Sequence, residues 1–304
     1  MDRKWTSEKG VWRSEKSRGK PAESCGLLVD RSPNDRRTAI DASSRSAVEH
    51  DQGVDDRDSD GRPEHATDHL ALGDLELLDD DELLATIDRA YGPRSRSDAD
   101  ALDRPAVEMS MVTSLDGSVA VGGGSRELSS RVDLAVLLRL RHHACVTLVG
   151  AGTVRSEDYA VPVDPTVHFA VVTGRGDLDW ESPLWTSGRA TAIAPTTVGI
   201  PDHVEVLRAG QAEIDMEAAL RVVSERFANG DAPIHLEGGP RLNATLHGHD
   251  LIDAINLTIS PTLVSGPGQR ALDGTAEHLR RFRRRHVLIA GDHLLTRWER
   301  DRTC

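Results

Sequence analysis

The chain has 304 residues, enough for one large domain or two small ones, and carries a formal net charge of −13. This acidity argues against a nucleic-acid groove and against docking on anionic lipid, because both need a basic face. No apolar run approaches the roughly 18 residues of a membrane helix, and the first residues, MDRKWTSEKG, lack the apolar core of a signal peptide. We therefore predict a cytoplasmic protein that binds neither nucleic acid nor membrane.

Residues 1–70 combine dense charge with few large apolar residues and no sustained periodicity. Such a segment cannot bury enough apolar surface to offset its ordering entropy, so we predict that it is disordered. Residues 71–103 are predicted to form a short helix over 75–90 and a linker rich in Gly, Pro, Ser and Asp. The three cysteines have the spacing of neither a metal site nor a disulfide framework, and we expect no bound metal.

Residues 104–300 alternate apolar strand patterns with amphipathic helix patterns and are predicted to form the folded domain. The predicted strands cover 105–113, 118–121, 144–149, 167–172, 190–194, 204–207, 234–236, 254–260, 286–290 and 294–298. The predicted helices cover 130–142, 154–158, 216–229 and 241–247. This alternation predicts an α/β fold with a largely parallel sheet and an antiparallel C-terminal hairpin.

Two of these strands run directly into glycine turns that open helices. The first corner is the sequence GAGT from Gly150 to Thr153, and the second is GGP from Gly238 to Pro240. Glycine allows a ligand close to the backbone, and the N-terminus of a helix favours a phosphate. Ligands of parallel sheets bind at the carboxyl ends of the strands, where both corners lie. An ordinary βα turn with a solvated Glu237 fits the second corner equally well.

The two corners, their order and three further blocks resemble the reductase domain of riboflavin biosynthesis, the RibD C-terminal family. The matching blocks are SLDG at 114–117, LLRLR at 137–141, VGAGTVRSED at 149–158, LEGGP at 236–240 and IDAINLTISP at 252–261. The resemblance implies a three-layer fold like that of dihydrofolate reductase. It also implies NADPH-dependent reduction of the ribosyl group of 5-amino-6-(5-phosphoribosylamino)uracil to a ribityl chain. The cysteine pair of the zinc deaminase to which this family is sometimes fused is absent, so we expect a stand-alone reductase.

The resemblance further implies which residues bind NADPH. Thr153, with the backbone of Gly150 and Gly152, would touch the nicotinamide half, and Val112 would lie beside it. Glu157 stands where the family usually has Asp and would contact the cofactor or its ribose. The diphosphate would lie on Gly238, Gly239, Pro240, Arg241, Leu242 and Asn243. Arg175 is the candidate for the adenosine 2′-phosphate, because a guanidinium binds phosphate through two donors, although a solvated loop arginine is an equally good interpretation.

For the substrate, the resemblance implies Arg141 on the phosphate, Glu237 on the aminopyrimidine, and contacts from Ser125 and, near the ribose, Asp116. Considered without the resemblance, Arg141 is a solvated charge at a helix end, and Asp116 is a turn residue that bonds its own backbone. Asp164 departs from the family pattern, because it stands where a second phosphate-binding arginine is expected. A carboxylate at that position would repel a substrate phosphate.

Three hypotheses follow. The first is an NADPH-dependent aminopyrimidine reductase, in which the cofactor carries the chemistry and no catalytic side chain is assigned. The second is an NADPH reductase of the same fold acting on another substrate such as dihydrofolate, which Asp164 supports. The third is a non-catalytic NADP-binding protein, which the intact glycine corners disfavour. We expect a homodimer, because related reductases pair across a sheet edge and two-fold pairs are commonest.

Overall fold

The computed structural model describes residues 3–6, 11–14, 73–92 and 104–302. The chain divides into two units, Met1–His65 and Ala66–Cys304. In the first unit, strand β1 (Arg3–Thr6) pairs antiparallel with β2 (Val11–Ser14). Trp and Val residues in these two segments favour strands locally. The disorder predicted for residues 1–70 stays a prediction, because most of that segment lies outside the described ranges.

The second unit opens with a 3₁₀ turn, Leu75–Leu77, followed by helix α1, Asp80–Tyr91. The single helix predicted over 75–90 is therefore interrupted. Asp79 is extended and its carboxylate accepts the Glu82 N–H at 2.9 Å, so the helix begins after this N-cap. Most of the predicted linker lies outside the described ranges.

Nine strands of the second unit form one sheet. In chain order these nine strands are β3 (Val107–Thr113), β4 (Val146–Gly150), β5 (Phe169–Val172), β6 (Ala190–Ala194), β7 (Val206–Arg208), β8 (Ile234–Gly238), β9 (Ala254–Ile259), β10 (Phe282–Ala290) and β11 (His293–Arg300). Their order across the sheet is β10-β11-β9-β3-β8-β4-β5-β6-β7. All pairs from β9 to β7 are parallel, whereas β11 is antiparallel to both β9 and β10. The predicted sheet with its antiparallel C-terminal hairpin is therefore confirmed.

Helices pack on the sheet and complete the layers. They are α2 (Arg131–His143), α3 (Ala151–Ser156), the unpredicted α4 (Pro183–Thr186), α5 (Met216–Phe227) and α6 (Pro240–Gly248). One core joins α5 and α6 to β3, β4 and β8, and another joins α1 and α2 to β10 and β11. On β8, Ile234 and Leu236 enter the first core. Because side chains alternate along a strand, His235 and Glu237 face the opposite side, where Glu237 meets α2.

The strand predicted over 118–121 is wrong. The Ser118 N–H donates to the Ser114 hydroxyl at 2.9 Å, and the Val119 N–H donates to the Gln269 carbonyl at 3.0 Å. The backbone of this segment therefore bonds to a turn and to a distant loop instead of a neighbouring strand. An isolated bridge between Val121 and Gly124 is the β pairing that the structure records there.

A buried ion pair holds the C-terminal hairpin to the parallel part of the sheet. Arg297 of β11 is 2% exposed and donates to Glu108 of β3 from Nη1 at 2.9 Å and from Nη2 at 2.6 Å. Its Nη1 also donates at 2.9 Å to Oδ1 of Asn256, which lies on the intervening strand β9. Removing one partner of such a pair leaves an uncompensated charge in the interior.

We expect Arg297→Met to lower the free energy of unfolding by about 3–5 kcal/mol, because the Glu108 carboxylate then stays buried without its counter-charge. The matched control is Arg226→Met, which breaks the ion pair between the nearly half-exposed side chains of Arg226 and Glu205. That change should cost about 0–1 kcal/mol. Urea denaturation of both variants measures the difference, and equal losses would contradict the prediction.

Candidate functional site

The two glycine corners touch one another, because β4 and β8 are neighbouring parallel strands. A Cβ atom on Gly150 would lie 3.4 Å from the Gly238 carbonyl oxygen. A Cβ atom on Gly239 would lie 2.6 Å from Thr153 Oγ1, which is too close for a real contact. Gly238 has a φ of 86°, a conformation that favours glycine. These glycines thus let the two backbone turns meet. From the sequence, the glycines were expected only to let a ligand approach the backbone.

Helices α3 and α6 begin at these corners without a side-chain cap and without an acidic residue in the first turn. The starts of α1, α2 and α5 are instead capped by the side chains of Asp79, Ser130 and Asp215. The N–H groups of a first turn and the positive end of the helix dipole attract anions. The adjoining starts of α3 and α6 therefore offer a surface suited to a diphosphate.

The side chains of the predicted diphosphate segment point in different directions. Leu242 packs into the core and Asn243 is fully buried, whereas Arg241 is exposed. The Asn243 Nδ2 donates to the Ala271 carbonyl at 3.0 Å, and its buried Oδ1 has no hydrogen-bond partner among the described residues. Leu242 can therefore reach an anion through its backbone N–H only, while Arg241 can use its side chain.

A charge cluster, called here the Arg141 cluster, is formed by the buried Glu237 and the half-buried Arg141 and Tyr159. Glu237 directly precedes the second glycine corner. Glu237 accepts from Arg141 Nε at 2.5 Å and from Nη2 at 2.8 Å, and the Tyr159 hydroxyl donates to Glu237 Oε2. The guanidinium carbon of Arg141 lies 5.5 Å from the Tyr159 ring centroid and 5.1 Å from that of Phe169. Arg141 and Glu237, predicted as separate substrate contacts, are thus bound to each other.

The Arg141 cluster sets the ionisation of its own members. Burial raises the pKa of Glu237, but the charge and hydrogen bonds of Arg141 outweigh it and lower that pKa to about 2. Burial, and after it the Glu237 charge, raise the pKa of Tyr159 well above its usual range. At neutral pH the carboxylate is therefore ionised and the tyrosine hydroxyl remains a donor.

His235 lies beside this cluster and is 1% exposed, with its Nδ1 atom 3.6 Å from Glu237 Oε1. Neither ring nitrogen has a hydrogen-bond partner within the part of the chain that the structure describes. Burial lowers the pKa of His235 to about 4, because the opposing charges of Glu237 and Glu108 do not compensate for lost hydration. The imidazole is therefore neutral at physiological pH.

The loop that carries Ser125 is fastened to the end of α3. The Ser125 N–H donates to the Glu157 carboxylate at 2.7 Å. The two segments border a cavity of about 450 Å³, which is lined by residues 121–124, 126–127 and 156–158. Glu157, predicted as a cofactor contact, thus holds this loop in place. Glu157 lines the cavity, and Ser125 is bonded to Glu157.

Asp116 ties two loops together. Its carboxylate accepts from the Ser114 hydroxyl at 2.5 Å and from the backbone N–H groups of Val264 at 3.1 Å and Ser265 at 2.7 Å. These bonds, that of Ser114 first, lower the pKa of Asp116 to about 2. The contacts agree with the turn role considered from the sequence. Asp116 also bonds to backbone about 148 positions away, which a local turn residue would not do.

Arg175 and Val112 complete the set of predicted cofactor residues. Arg175 follows β5, has a side chain that is 76% exposed, and lies 3.8 Å from Asp177. Arg155 of α3 donates to the same aspartate at 3.0 Å, so two arginines converge there. Val112 is half-buried on β3.

Asp164, which stands where an arginine is expected, is engaged by its neighbours. Its Oδ2 lies 2.7 Å from His142 Nδ1, and its Oδ1 accepts the Thr166 N–H at 2.8 Å and hydroxyl at 2.7 Å. Burial raises its pKa, but these bonds outweigh burial and lower the pKa to about 2, so the carboxylate is ionised. Since His142 follows Arg141 on α2, the pair of His142 with Asp164 is adjacent in sequence to the pair of Arg141 with Glu237.

Sequence reasoning missed His235 and Tyr159. His235 is two positions from Glu237 on one strand, and the period of two predicts that both face the same side, so this neighbour could have been found. Tyr159 lies in a loop 78 positions from Glu237. No periodicity connects those two residues, and their contact depends on the tertiary fold.

The RibD C-terminal domain family matches residues 105–294, well over half of the chain. The chain belongs to the RibD C-terminal domain family. This membership confirms the resemblance inferred from the five sequence blocks. The matched range covers the whole sheet from β3 to the start of β11 and both glycine corners.

Curated relatives of this RibD domain include a named reductase. The 2,5-diamino-6-ribosylamino-4(3H)-pyrimidinone 5′-phosphate reductase of Methanothermobacter thermautotrophicus is 30% identical over 189 residues, which are 56% of this chain and 83% of that protein. The riboflavin biosynthesis protein RibD of Mycobacterium tuberculosis is 30% identical over 171 residues, which are 54% of this chain and 44% of that protein. By family, the RibD domain described here is an oxidoreductase.

Solved structures support the fold. A pyrimidine reductase-like protein from Corynebacterium diphtheriae has a TM-score of 0.60 at 19% identity, over 71% of this chain and 99% of that one. The riboflavin biosynthesis reductase of Saccharomyces cerevisiae has a TM-score of 0.56 at 15% identity, over 72% of this chain and 99% of that one.

Within the described ranges, no helix is long and apolar enough to cross a bilayer, and no His, Cys, Asp or Glu side chains are grouped as metal ligands.

We expect the RibD domain to lose stability as the pH falls from 6.5 towards about 4, because His235 takes up a proton in the unfolded chain before it does so in the folded one. The unfolded state then holds up to one more proton, so the slope approaches about 1.4 kcal/mol per pH unit. His235→Gln removes this contribution and should flatten the profile in that window. Urea denaturation at several pH values measures both profiles, and identical slopes would contradict a buried neutral imidazole.

Proposed function

We propose that this protein is an NADPH-dependent reductase of riboflavin biosynthesis. It reduces the ribosyl group of 5-amino-6-(5-phosphoribosylamino)uracil to a ribityl chain. The observation that carries the proposal is the match to the archaeal ribosylaminopyrimidinone phosphate reductase over 83% of that protein. The substrate named for that relative has an amino group where the uracil has a carbonyl, so both compounds belong in the first assay.

The residues at the carboxyl edge of the sheet fit NADPH. The uncapped start of α6 would hold its diphosphate, along Gly238, Gly239, Pro240, Arg241, Leu242 and Asn243. Thr153, with the backbone of Gly150 and Gly152, and Val112 on β3 would face its nicotinamide half. NADPH supplies a hydride when bound, and the protein contributes position and electrostatics. Glu157, proposed to lie near the cofactor or its ribose, also holds the loop that carries Ser125.

Arg175 is proposed to bind the adenosine 2′-phosphate. It lies after β5, beside the β4 corner, and its ion pair with Asp177 is long and solvent-exposed. Exposed pairs of this kind contribute little free energy, so the guanidinium can turn to a phosphate at small cost. Arg155, which shares Asp177, would add a second positive charge at the same edge.

On the substrate side, Arg141 is proposed to bind the phosphate. The guanidinium is the more exposed member of its pair with Glu237, at 18% against 4% for the two side chains. Ser125 and Asp116 are proposed as further substrate contacts. Ser125 belongs to the loop that Glu157 holds beside the cavity, and Asp116 ties its own turn to the backbone of Val264 and Ser265. Glu237 belongs to this side of the site through its bond to Arg141.

Two other functions were considered from the sequence. One curated relative is named as a ribosylaminopyrimidinone phosphate reductase and another as a riboflavin biosynthesis protein. These names favour the aminopyrimidine over dihydrofolate and a reductase over a non-catalytic NADP-binding protein. The homodimer and the cytoplasmic location stay predictions.

Arg141→Lys should lose about tenfold or more in kcat/KM for 5-amino-6-(5-phosphoribosylamino)uracil, because an ammonium group cannot form the two parallel contacts of a guanidinium. The dephosphorylated compound should show an unchanged kcat/KM in the same variant. Oxidation of NADPH measures both, with the diaminopyrimidinone phosphate and dihydrofolate assayed in parallel. Turnover of dihydrofolate alone would contradict the proposed function.

Gly239→Ala should weaken NADPH binding by about tenfold, because the new Cβ collides with Thr153 and a misfit of this kind costs about 1–3 kcal/mol. The matched control is Gly199→Ala, where no atom lies within 4 Å of the new Cβ. Isothermal titration with NADPH measures both affinities. An unchanged affinity in Gly239→Ala would place the cofactor elsewhere.

A further inference from the structure

Glu237 has little capacity left for a substrate. A carboxylate offers about four acceptor sites, and three are used by the Nε and Nη2 donors of Arg141 and by the Tyr159 hydroxyl. The Glu237 side chain is 4% exposed, whereas that of Arg141 is 18% exposed. A ligand that enters from solvent therefore meets the guanidinium before the carboxylate.

Arg141 retains donors that Glu237 does not use. A guanidinium has five N–H groups in a fixed plane, and Glu237 accepts from two of its nitrogens. The rings of Tyr159 and Phe169 lie within 5.5 Å and 5.1 Å of the guanidinium carbon and restrict its tilt. The plane of Arg141 is thus fixed by one carboxylate and two aromatic rings.

Tyr159 connects this arrangement to the first glycine corner. Its backbone N–H lies 3.5 Å from the carbonyl oxygen of Val154 in α3, the helix that opens at Gly150. Its ring meets Phe169 edge-on, with the centroids 5.2 Å apart. The hydroxyl is therefore held from α3 and β5, and it donates to a residue of β8.

We propose that Tyr159 is a positioning residue, which, together with Glu237, fixes the Arg141 guanidinium for the anionic group of the substrate. This inference rests on the proposed function, in which Arg141 binds the substrate phosphate. It replaces the expected contact between Glu237 and the aminopyrimidine, because Glu237 acts on the substrate through Arg141. A hydroxyl that stays protonated keeps donating across the working pH range.

The first test compares Tyr159→Phe and Glu237→Gln on the phosphorylated substrate and on its dephosphorylated counterpart. In Tyr159→Phe, the KM for the phosphorylated compound should rise about tenfold, because one hydrogen bond to a charged group is lost. The kcat, the NADPH affinity and the KM for the dephosphorylated compound should stay unchanged. Glu237→Gln should shift the same KM. An equal loss on both compounds would overturn the inference, because it would indicate direct contact with the base or sugar.

The matched control is Tyr91→Phe, since Tyr91, at the end of α1, is the other of the two tyrosines in the chain and packs against His286. Its kinetic constants should equal those of the wild type. A double variant, Tyr159→Phe with Arg141→Lys, should be no worse than Arg141→Lys alone, because both changes act through one side chain. Additive losses would overturn the inference.

A spectroscopic test separates this inference from the proposed substrate. The Nε–H proton resonance of Arg141, assigned by its loss in Arg141→Lys, should be sharp in the wild type and should shift and broaden in Tyr159→Phe. A resonance unchanged in Tyr159→Phe would overturn the positioning role whatever the substrate is. If the resonance responds but the wild type reduces neither ribosylaminopyrimidine phosphate, the positioning of Arg141 stands and the proposed function fails.

Discussion

The parallel pairing of β8 with its neighbours β3 and β4 is the constraint on which the site depends. Alternate residues of β8 have opposite tasks, because Ile234 and Leu236 fill the core under α5 and α6 while Glu237 faces α2. The strand then ends in Gly238, next to the corner of β4. One strand of five residues thus holds the buried carboxylate and leads into the uncapped start of α6. A register shift of one residue would exchange these faces and destroy both.

Charges buried on this side of the sheet are arranged in compensated pairs. Arg297 with Glu108 lies towards the C-terminal hairpin, and Arg141 with Glu237 lies towards the glycine corners. His235, directly opposite Glu108 in the register of β3 and β8, stays neutral between them. A buried ion pair adds little net stability, but it penalises any packing that separates the partners. These pairs therefore fix the relative positions of α2, β8, β3 and β11 more than they strengthen the fold.

The sequence predicted what depends on local patterns. Apolar runs bounded by glycine located β4 and β8, and Asp215 located the start of α5, because strand periodicity and capping act within a few residues. The strand over 118–121 failed because its backbone partners lie at 114 and 269, which no local pattern specifies. For the same reason the individual residues Arg141 and Glu237 could be named, but not their bond across 96 positions. Tyr159 meets Glu237 across 78 positions, so its contact required the three-dimensional structure.

The two proposed anion sites use opposite ends of helices. The cofactor diphosphate is assigned to the N-terminal end of α6, where backbone N–H groups and the helix dipole already favour negative charge. The substrate phosphate is assigned to the C-terminal end of α2, where the dipole opposes an anion. Binding there must come from side chains, and Arg141 and His142 each already face a carboxylate, Glu237 and Asp164. The proposed attraction for a phosphate at this end therefore depends on how the Arg141 donors are oriented more than on net charge, and this orientation is set by Glu237 and the two aromatic rings.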